Sequence, residues 1–159
     1  MASNKGLFSL KTADLNNQKD LEAIARMEIA INLELRPRFK FDFSNRTAFN
    51  KVVEGLRSGE KDKKIIMAYA GNDVAGYLKS FMNNYLNIVD YRLLFVYPQF
   101  RKLGVGSDLL KRGEEEAREK GYGLIETYAS IPVRPFYRKN GFVKVSSEEW
   151  DERMVKKLK

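Results

Sequence analysis

The stretch Val96-Tyr97-Pro98-Gln99-Phe100-Arg101-Lys102-Leu103-Gly104-Val105-Gly106-Ser107-Asp108-Leu109-Leu110 decides how this chain is read. Just before it stand Leu93, Leu94 and Phe95, which with Val96 make an unbroken apolar run of the kind a buried strand shows. Pro98 has no N–H to give to a ladder, so the strand stops there. Gly104 and Gly106 free the backbone and let a bulky group approach closely. A helix begins at that point, and its first N–H groups have no partners within it and face the turn. Together with the positive end of the helix dipole, Arg101 and Lys102, they form a candidate phosphate cradle. Two commoner cradles are excluded. No Gly-x-x-x-x-Gly-Lys-Ser/Thr run occurs, and Leu109 stands where a dinucleotide fingerprint needs its third glycine.

A second informative segment follows downstream: Pro135-Phe136-Tyr137-Arg138-Lys139-Asn140-Gly141-Phe142. Asn140-Gly141 reads as a helix stop, with the glycine suited to a left-handed C′ position. Phe142 and Val143 then restart an apolar strand. Read alone, Phe136 and Tyr137 are also adequate as aromatic core filler.

Read together, Arg101-x-x-Gly104-x-Gly106 after a Val-x-Pro strand end and Phe136-Tyr137-x-x-x-Gly141-Phe142 resemble the GNAT superfamily of acetyltransferases. In that family the first pattern is the coenzyme A pyrophosphate loop. The resemblance implies an α/β fold in one N-acetyltransferase domain over 1–159, a mixed twisted sheet of about seven strands flanked by about four helices. Two central strands, 86–96 and 124–128, would splay apart to form the acetyl-CoA cleft.

Composition agrees with a compact soluble domain. The 159 residues are 43% hydrophobic and 31% charged, with a net charge of +8 and neither cysteine nor histidine. Disulfides, thiolate metal sites and Cys–His or Ser–His nucleophile schemes are therefore impossible, and no carboxylate cluster is spaced for a metal. No apolar run is long enough to span a membrane, and Met1–Gly6 leads into no signal-peptide core, so the expected compartment is the cytoplasm. The run 134–144 holds Arg134, Arg138, Lys139 and Lys144 without an acid, which would suit a phosphate-rich ligand near Tyr137. Nucleic acid is the rival partner for a basic chain, but no zinc-finger spacing or RNA-strand motif is present. Helix 103–120 mixes Lys111, Arg112, Arg118 and Lys120 with Asp108, Glu114, Glu115, Glu116 and Glu119, the pattern of a solvated face.

Around these segments the pattern predicts a strand at 7–12 and a helix capped by Asp14 and broken by Pro37. A second helix capped by Ser44 runs to about Arg57. A hairpin at Gly71-Asn72-Asp73 joins strands 64–70 and 74–81. The remaining elements are strands 86–96, 124–128, 142–145 and 153–158, with a short helix at 133–139.

The resemblance implies transfer of an acetyl group from acetyl-CoA to a primary amine, a small molecule or a peptide, by direct attack on the thioester. Carried over residue by residue, Tyr137 is the general acid, and a phenol can protonate a departing thiolate. Asp90 occupies the strand position of the family's carboxylate base; Glu126, an ordered water, or a merely solvated Asp90 remain open. The backbone N–H groups of Phe95 and Val96 would steady the oxyanion. Arg101, Lys102, Leu103, Gly104, Val105, Gly106 and Ser107 would hold the pyrophosphate, with Phe136 beside the cofactor. Many relatives carry Asn seven residues before the tyrosine; here Ser130 stands there, with a shorter reach. Loop 35–43 alternates Arg36, Arg38 and Lys40 with Phe39, Phe41 and Phe43, and in this family such a loop borders the acceptor. A homodimer is compatible with the sequence. Two other functions stay in view: a catalytically silent acyl-CoA-binding regulatory module and a basic nucleic-acid-binding protein.

Overall fold

The computed structural model describes residues 7–36, 38–59, 61–147 and 150–159, so the readings of Met1–Gly6 and of Pro37 as a helix breaker lie outside the described residues. The chain divides into two compact units, Thr12–Lys61 and the remainder.

The first unit is a helix pair, α1 (Gln18–Leu35) and α2 (Arg46–Arg57). Each helix starts later than the sequence predicts. Asn17 caps α1, its side chain accepting the N–H groups of Lys19 at 2.9 Å and Asp20 at 3.2 Å. Asp14 instead closes the preceding turn, where its carboxylate accepts from Asn16 N–H at 2.9 Å. Asn45 likewise caps α2, while the Ser44 hydroxyl donates to Asp42 at 2.6 Å. Leu21, Ile24, Ala25 and Met27 of α1 are fully buried, as is Phe49 of α2. Of the loop aromatics, Phe41 and Phe43 meet edge to face at 5.1 Å, and the Arg26 guanidinium lies over both Phe43 and Phe49.

The second unit holds a seven-stranded sheet in the order β1-β2-β3-β4-β5-β7-β6. The strands are β1 (Ser9–Thr12), β2 (Lys63–Ala70), β3 (Asp73–Asn83), β4 (Ile88–Val96), β5 (Leu124–Ser130), β6 (Val143–Ser147) and β7 (Asp151–Lys157). Strands β2, β3 and β4 pair antiparallel, as do β5, β7 and β6; β4 and β5 pair parallel. Helix α3 (Val105–Glu119) makes the crossover that a parallel pair requires. It lies close against the sheet because Gly113 has no side chain: a Cβ there would sit 2.4 Å from the Tyr91 hydroxyl and 2.8 Å from Leu78. Leu109 and Leu110 fill the space beside it with Ile66, Leu78, Ile125 and Met154.

This closeness corrects the reading of α3 as carrying only solvated acids. Glu114 and Glu116 are buried and ion-paired, Glu114 with Lys156 at 2.6 Å and Glu116 with Lys64 and, at 2.9 Å, Arg112. A 3₁₀ turn at Ile131–Val133 leads into the short helix α4 (Arg134–Lys139). Among the described residues, no helix is long and apolar enough to cross a membrane.

Candidate active site

The parallel ladder between β4 and β5 has four rungs, from Ile88↔Leu124 to Tyr91↔Thr127. Beyond Tyr91, β4 runs on to Val96 beside β3, and beyond Thr127, β5 runs on to Ser130 beside β7, but the two strands no longer pair. They fork, as the resemblance implies.

Which backbone groups line the fork follows from alternation in an antiparallel ladder. Tyr97 N–H donates to Ala75 C=O at 2.9 Å, and the register then gives Phe95 to β3 as well. Val96 and Leu94, the residues between, turn their N–H groups to the open side. Of the expected pair Phe95 and Val96, the register turns only the Val96 N–H to the open side, where the Leu94 N–H joins it. A bulge at Arg92, which has no register partner on β3, sets this phase. On the opposite wall Leu158 N–H donates to Gly123 C=O at 2.9 Å, so Ala129 faces β7 and Ser130 turns its backbone groups toward the fork.

The glycine loop sits where β4 ends. Lys102 (φ 63°) and Gly104 (φ 92°) both take left-handed conformations, a sequence of turns that forms a concavity of N–H groups. No side chain caps α3, and its ladder begins with Asp108 N–H donating to Gly104 C=O at 3.0 Å. The N–H groups of Val105, Gly106 and Ser107 therefore lie free at the helix start, and nothing stands within 4 Å of the missing Cβ of Gly104. Leu103 is exposed at the loop tip. These donors, which no side chain caps, fit a diphosphate even with Asp108 in the same first turn. Arg101 contributes differently from expectation: its Nε donates to Val96 C=O at 2.9 Å and its guanidinium lies over the Phe95 ring, fastening the loop to the strand end.

The structure brings the second motif onto the first. A Cβ on Gly106 would lie 3.1 Å from the Phe136 ring and 3.8 Å from Leu94, so the bulky group admitted by this glycine is Phe136 itself. Next to it, Tyr137 packs edge to face on Phe136 and Phe142, with centroids 5.3 and 5.4 Å away. Its hydroxyl lies beside that of Thr127, which donates to Tyr91 C=O at 3.0 Å on the last rung of the ladder. Burial pushes the Tyr137 phenol above its ordinary value, and the Thr127 hydroxyl pulls the other way.

Residues 27–156 match the acetyltransferase (GNAT) domain family. The chain belongs to that family. Solved structures with the same fold include the PaiA N-acetyltransferase of Thermoplasma acidophilum in complex with coenzyme A, at 18% identity and TM-score 0.70, covering 94% of this chain and 98% of that one. An aminoglycoside 6′-N-acetyltransferase complexed with coenzyme A aligns at 15% identity and TM-score 0.72, covering 94% and 97%. The ribosomal-protein-S18-alanine N-acetyltransferase of Escherichia coli aligns at 12% identity and TM-score 0.66, covering 95% and 94%. No curated protein matches the chain.

In this GNAT domain the candidate base lies on the other face of the sheet from Tyr137. Asp90 shares a rung with Glu126, one step before the fork. Its Oδ2 pairs with Arg92 while Oδ1 is buried without a hydrogen-bond partner among the described residues. Glu126 is held by two bonds from Arg153, at 2.9 and 2.7 Å, which leaves Asp90 the less encumbered carboxylate. Ser130 is exposed at the end of β5.

The basic run 134–144 has a structural partner as well. Arg134, Arg138 and Lys144 converge on the buried Glu152, at 3.4, 2.9 and 3.4 Å, so one carboxylate gathers three cations and the run keeps a positive balance. Sequence reasoning missed Leu94 and Glu152. Counting every second residue back from Val96 would have found the first; the second carries no local signal.

Proposed function

We propose that this GNAT domain, acting as one unit of 159 residues in the cytoplasm, transfers the acetyl group of acetyl-CoA to a primary amine of a small molecule or peptide by direct attack. The observation that carries the reading is the coincidence of three features at one point. The β4–β5 ladder stops at Tyr91↔Thr127, the Tyr137 hydroxyl sits against that rung, and the N–H groups of Leu94 and Val96 line the opening beyond it.

Acetyl-CoA supplies the activated acetyl group. The N–H groups of Val105, Gly106 and Ser107, with Lys102, hold its pyrophosphate at the start of α3, and Arg101 keeps that loop in place. Phe136 and Ser130 border the arm that enters the fork. The N–H groups of Leu94 and Val96 point at the place where charge develops on the carbonyl oxygen, in a backbone already committed to its geometry. Tyr137, a phenol that burial raises further above its ordinary 10.0, holds its proton at Oη for the departing sulfur. Asp90 takes the proton of the incoming ammonium at Oδ1, the oxygen with no other partner among the described residues. No step needs a protein nucleophile, which suits a chain without cysteine or histidine.

A thiol-release assay with acetyl-CoA across peptides, amino acids, polyamines and aminoglycosides tests this. Amine-dependent release above hydrolysis is the expected result. Binding of acetyl-CoA with no release for any amine would return the chain to a silent binding module.

A further inference from the structure

Helix α4 carries the proposed acid, yet it has little stability of its own. It is six residues long, begins with Pro135 near its N-terminus, and has no side-chain cap. A helix this short does not persist without tertiary support. The aromatic contacts of Phe136 and Tyr137 supply burial, but that gain scales with buried area and changes little on a small rotation of the helix about its axis. Polar contacts resist that rotation: Lys156 Nζ donates to Asn140 C=O at 2.7 Å just past the helix, and the densest set gathers on one carboxylate. Glu152, on β7, is 5% exposed and takes Arg134 on one carboxylate oxygen and Arg138 on the other. These arginines lie one helical turn apart on the same side of α4. Arg134 also donates from Nε to Ala129 C=O at 3.3 Å, tying the same guanidinium to the end of β5.

We propose that Glu152 is a positioning residue for Tyr137: it fixes the rotation of α4, and thereby the place of the Tyr137 hydroxyl at the fork. The inference rests on the reading of Tyr137 as the acid. The lever is long. A phenol oxygen stands some 8–9 Å from its helix axis, so a turn of about 10° carries it roughly 1.5 Å. A displacement of that order from productive geometry can cost about a hundredfold in rate. Lys144, on β6, is the third cation on the carboxylate and is nearly half exposed, so it pairs with Glu152 from outside α4.

The test is a cycle of Glu152→Gln and Tyr137→Phe, in which the glutamine keeps the volume of the side chain and removes its charge. Glu152→Gln should lower kcat by about ten- to a hundredfold with KM for acetyl-CoA unchanged, and should lower it no further in the Tyr137→Phe background. Wild-type kcat, or an equal loss in both backgrounds, overturns the proposal in favour of a purely structural ion pair. Fluorine NMR of protein labelled with 3-fluorotyrosine separates this from the fate of the acid assignment. The resonance missing in Tyr137→Phe reports that ring directly. If Tyr137→Phe retains full turnover, the acid reading fails; a shifted or broadened line in Glu152→Gln then still supports Glu152 as the holder of the ring, and an unmoved line overturns it. Should Glu152→Gln not fold, Arg138→Gln removes its shortest partner and is read in the same way.

Discussion

A Gly113→Ala substitution tests how α3 is held on the sheet, because the same change at Gly55 should act with the opposite sign. In a helix interior, alanine is favoured over glycine by up to about 1 kcal/mol. At Gly55 of α2 nothing lies within 4 Å of the added methyl, so this gain should appear alone, at about 0.5–1 kcal/mol. At Gly113 the methyl carbon would fall 2.4 Å from the Tyr91 hydroxyl, 2.8 Å from Leu78 and 3.0 Å from Tyr91 Cζ. Comfortable contact begins near 3.5 Å, so the helix or the strand must yield by about 1 Å. Tyr91 and Leu78 are both buried, and overpacking of that kind costs about 1–3 kcal/mol, which outweighs the helix gain. The net loss of about 1–2 kcal/mol corresponds to a fall of roughly 2–8 °C in Tm. Since Tyr91 forms the last rung before the fork, turnover should drop as well, while Gly55→Ala leaves it alone. Calorimetric melting of the two variants beside the parent decides the matter. A Gly113→Ala protein as stable as Gly55→Ala would mean that α3 does not lie as close to β4 as described.

Three further outcomes follow from the site. Tyr137→Phe should cost roughly 10²–10⁴ in kcat and abolish the alkaline limb of the pH–rate profile; in the parent that limb should lie above pH 10.0, since burial raises the phenol and only its protonated form donates. Gly104→Val forces a β-branched residue to φ 92°, at a strain of about 1–3 kcal/mol, and should weaken coenzyme A binding measured by calorimetry, whereas Gly104→Asn, tolerant of left-handed backbone, should bind nearly as the parent; equal affinity in all three would dissolve the cradle. Urea unfolding against pH should show two edges. Burial raises Tyr137, so its contribution is present below pH 10.0 and is lost as pH climbs through the folded value. Burial alone would raise Glu152, but Arg134, Lys144 and Arg138 hold it below 4.5, so its contribution is present above that pH and is lost as pH falls through the folded value. A urea midpoint flat across both ranges would contradict these linkages.

The glycine loop and the Phe136-Tyr137 segment were legible because each is local. Proline, glycine and aromatic residues at fixed offsets dictate a strand end, a turn and a helix stop with no help from the rest of the chain. The fork was legible only through the family, since nothing in residues 88–96 or 124–130 marks the rung at which pairing ends. The bulge at Arg92 was not legible at all. It inserts one residue into β4 without changing the apolar pattern, so counting by twos from Asp90 misassigns every backbone group up to Val96. The caps failed for a related reason. Asp14 and Ser44 are competent cap residues, but Asn17 and Asn45 lie nearer to where the helices start, and Asp14 and Ser44 were recruited by their own turns. Glu152 escaped because its partners are gathered from α4 and β6, two elements that meet only in three dimensions.

The four rungs between β4 and β5 make the sheet two leaves with a short seam. One leaf is β1 to β4 and the other β5 to β7, and each is hydrogen-bonded within itself. Past the seam, each leaf presents a raw margin inside what is otherwise continuous pleating, and such margins accept any extended molecule that offers amides at strand spacing. A ligand with peptide-like links would enter there as a surrogate strand. Occupancy should then slow amide exchange at Leu94 and Val96 far more than at Phe95, and make the leaves melt as one body rather than part along the seam.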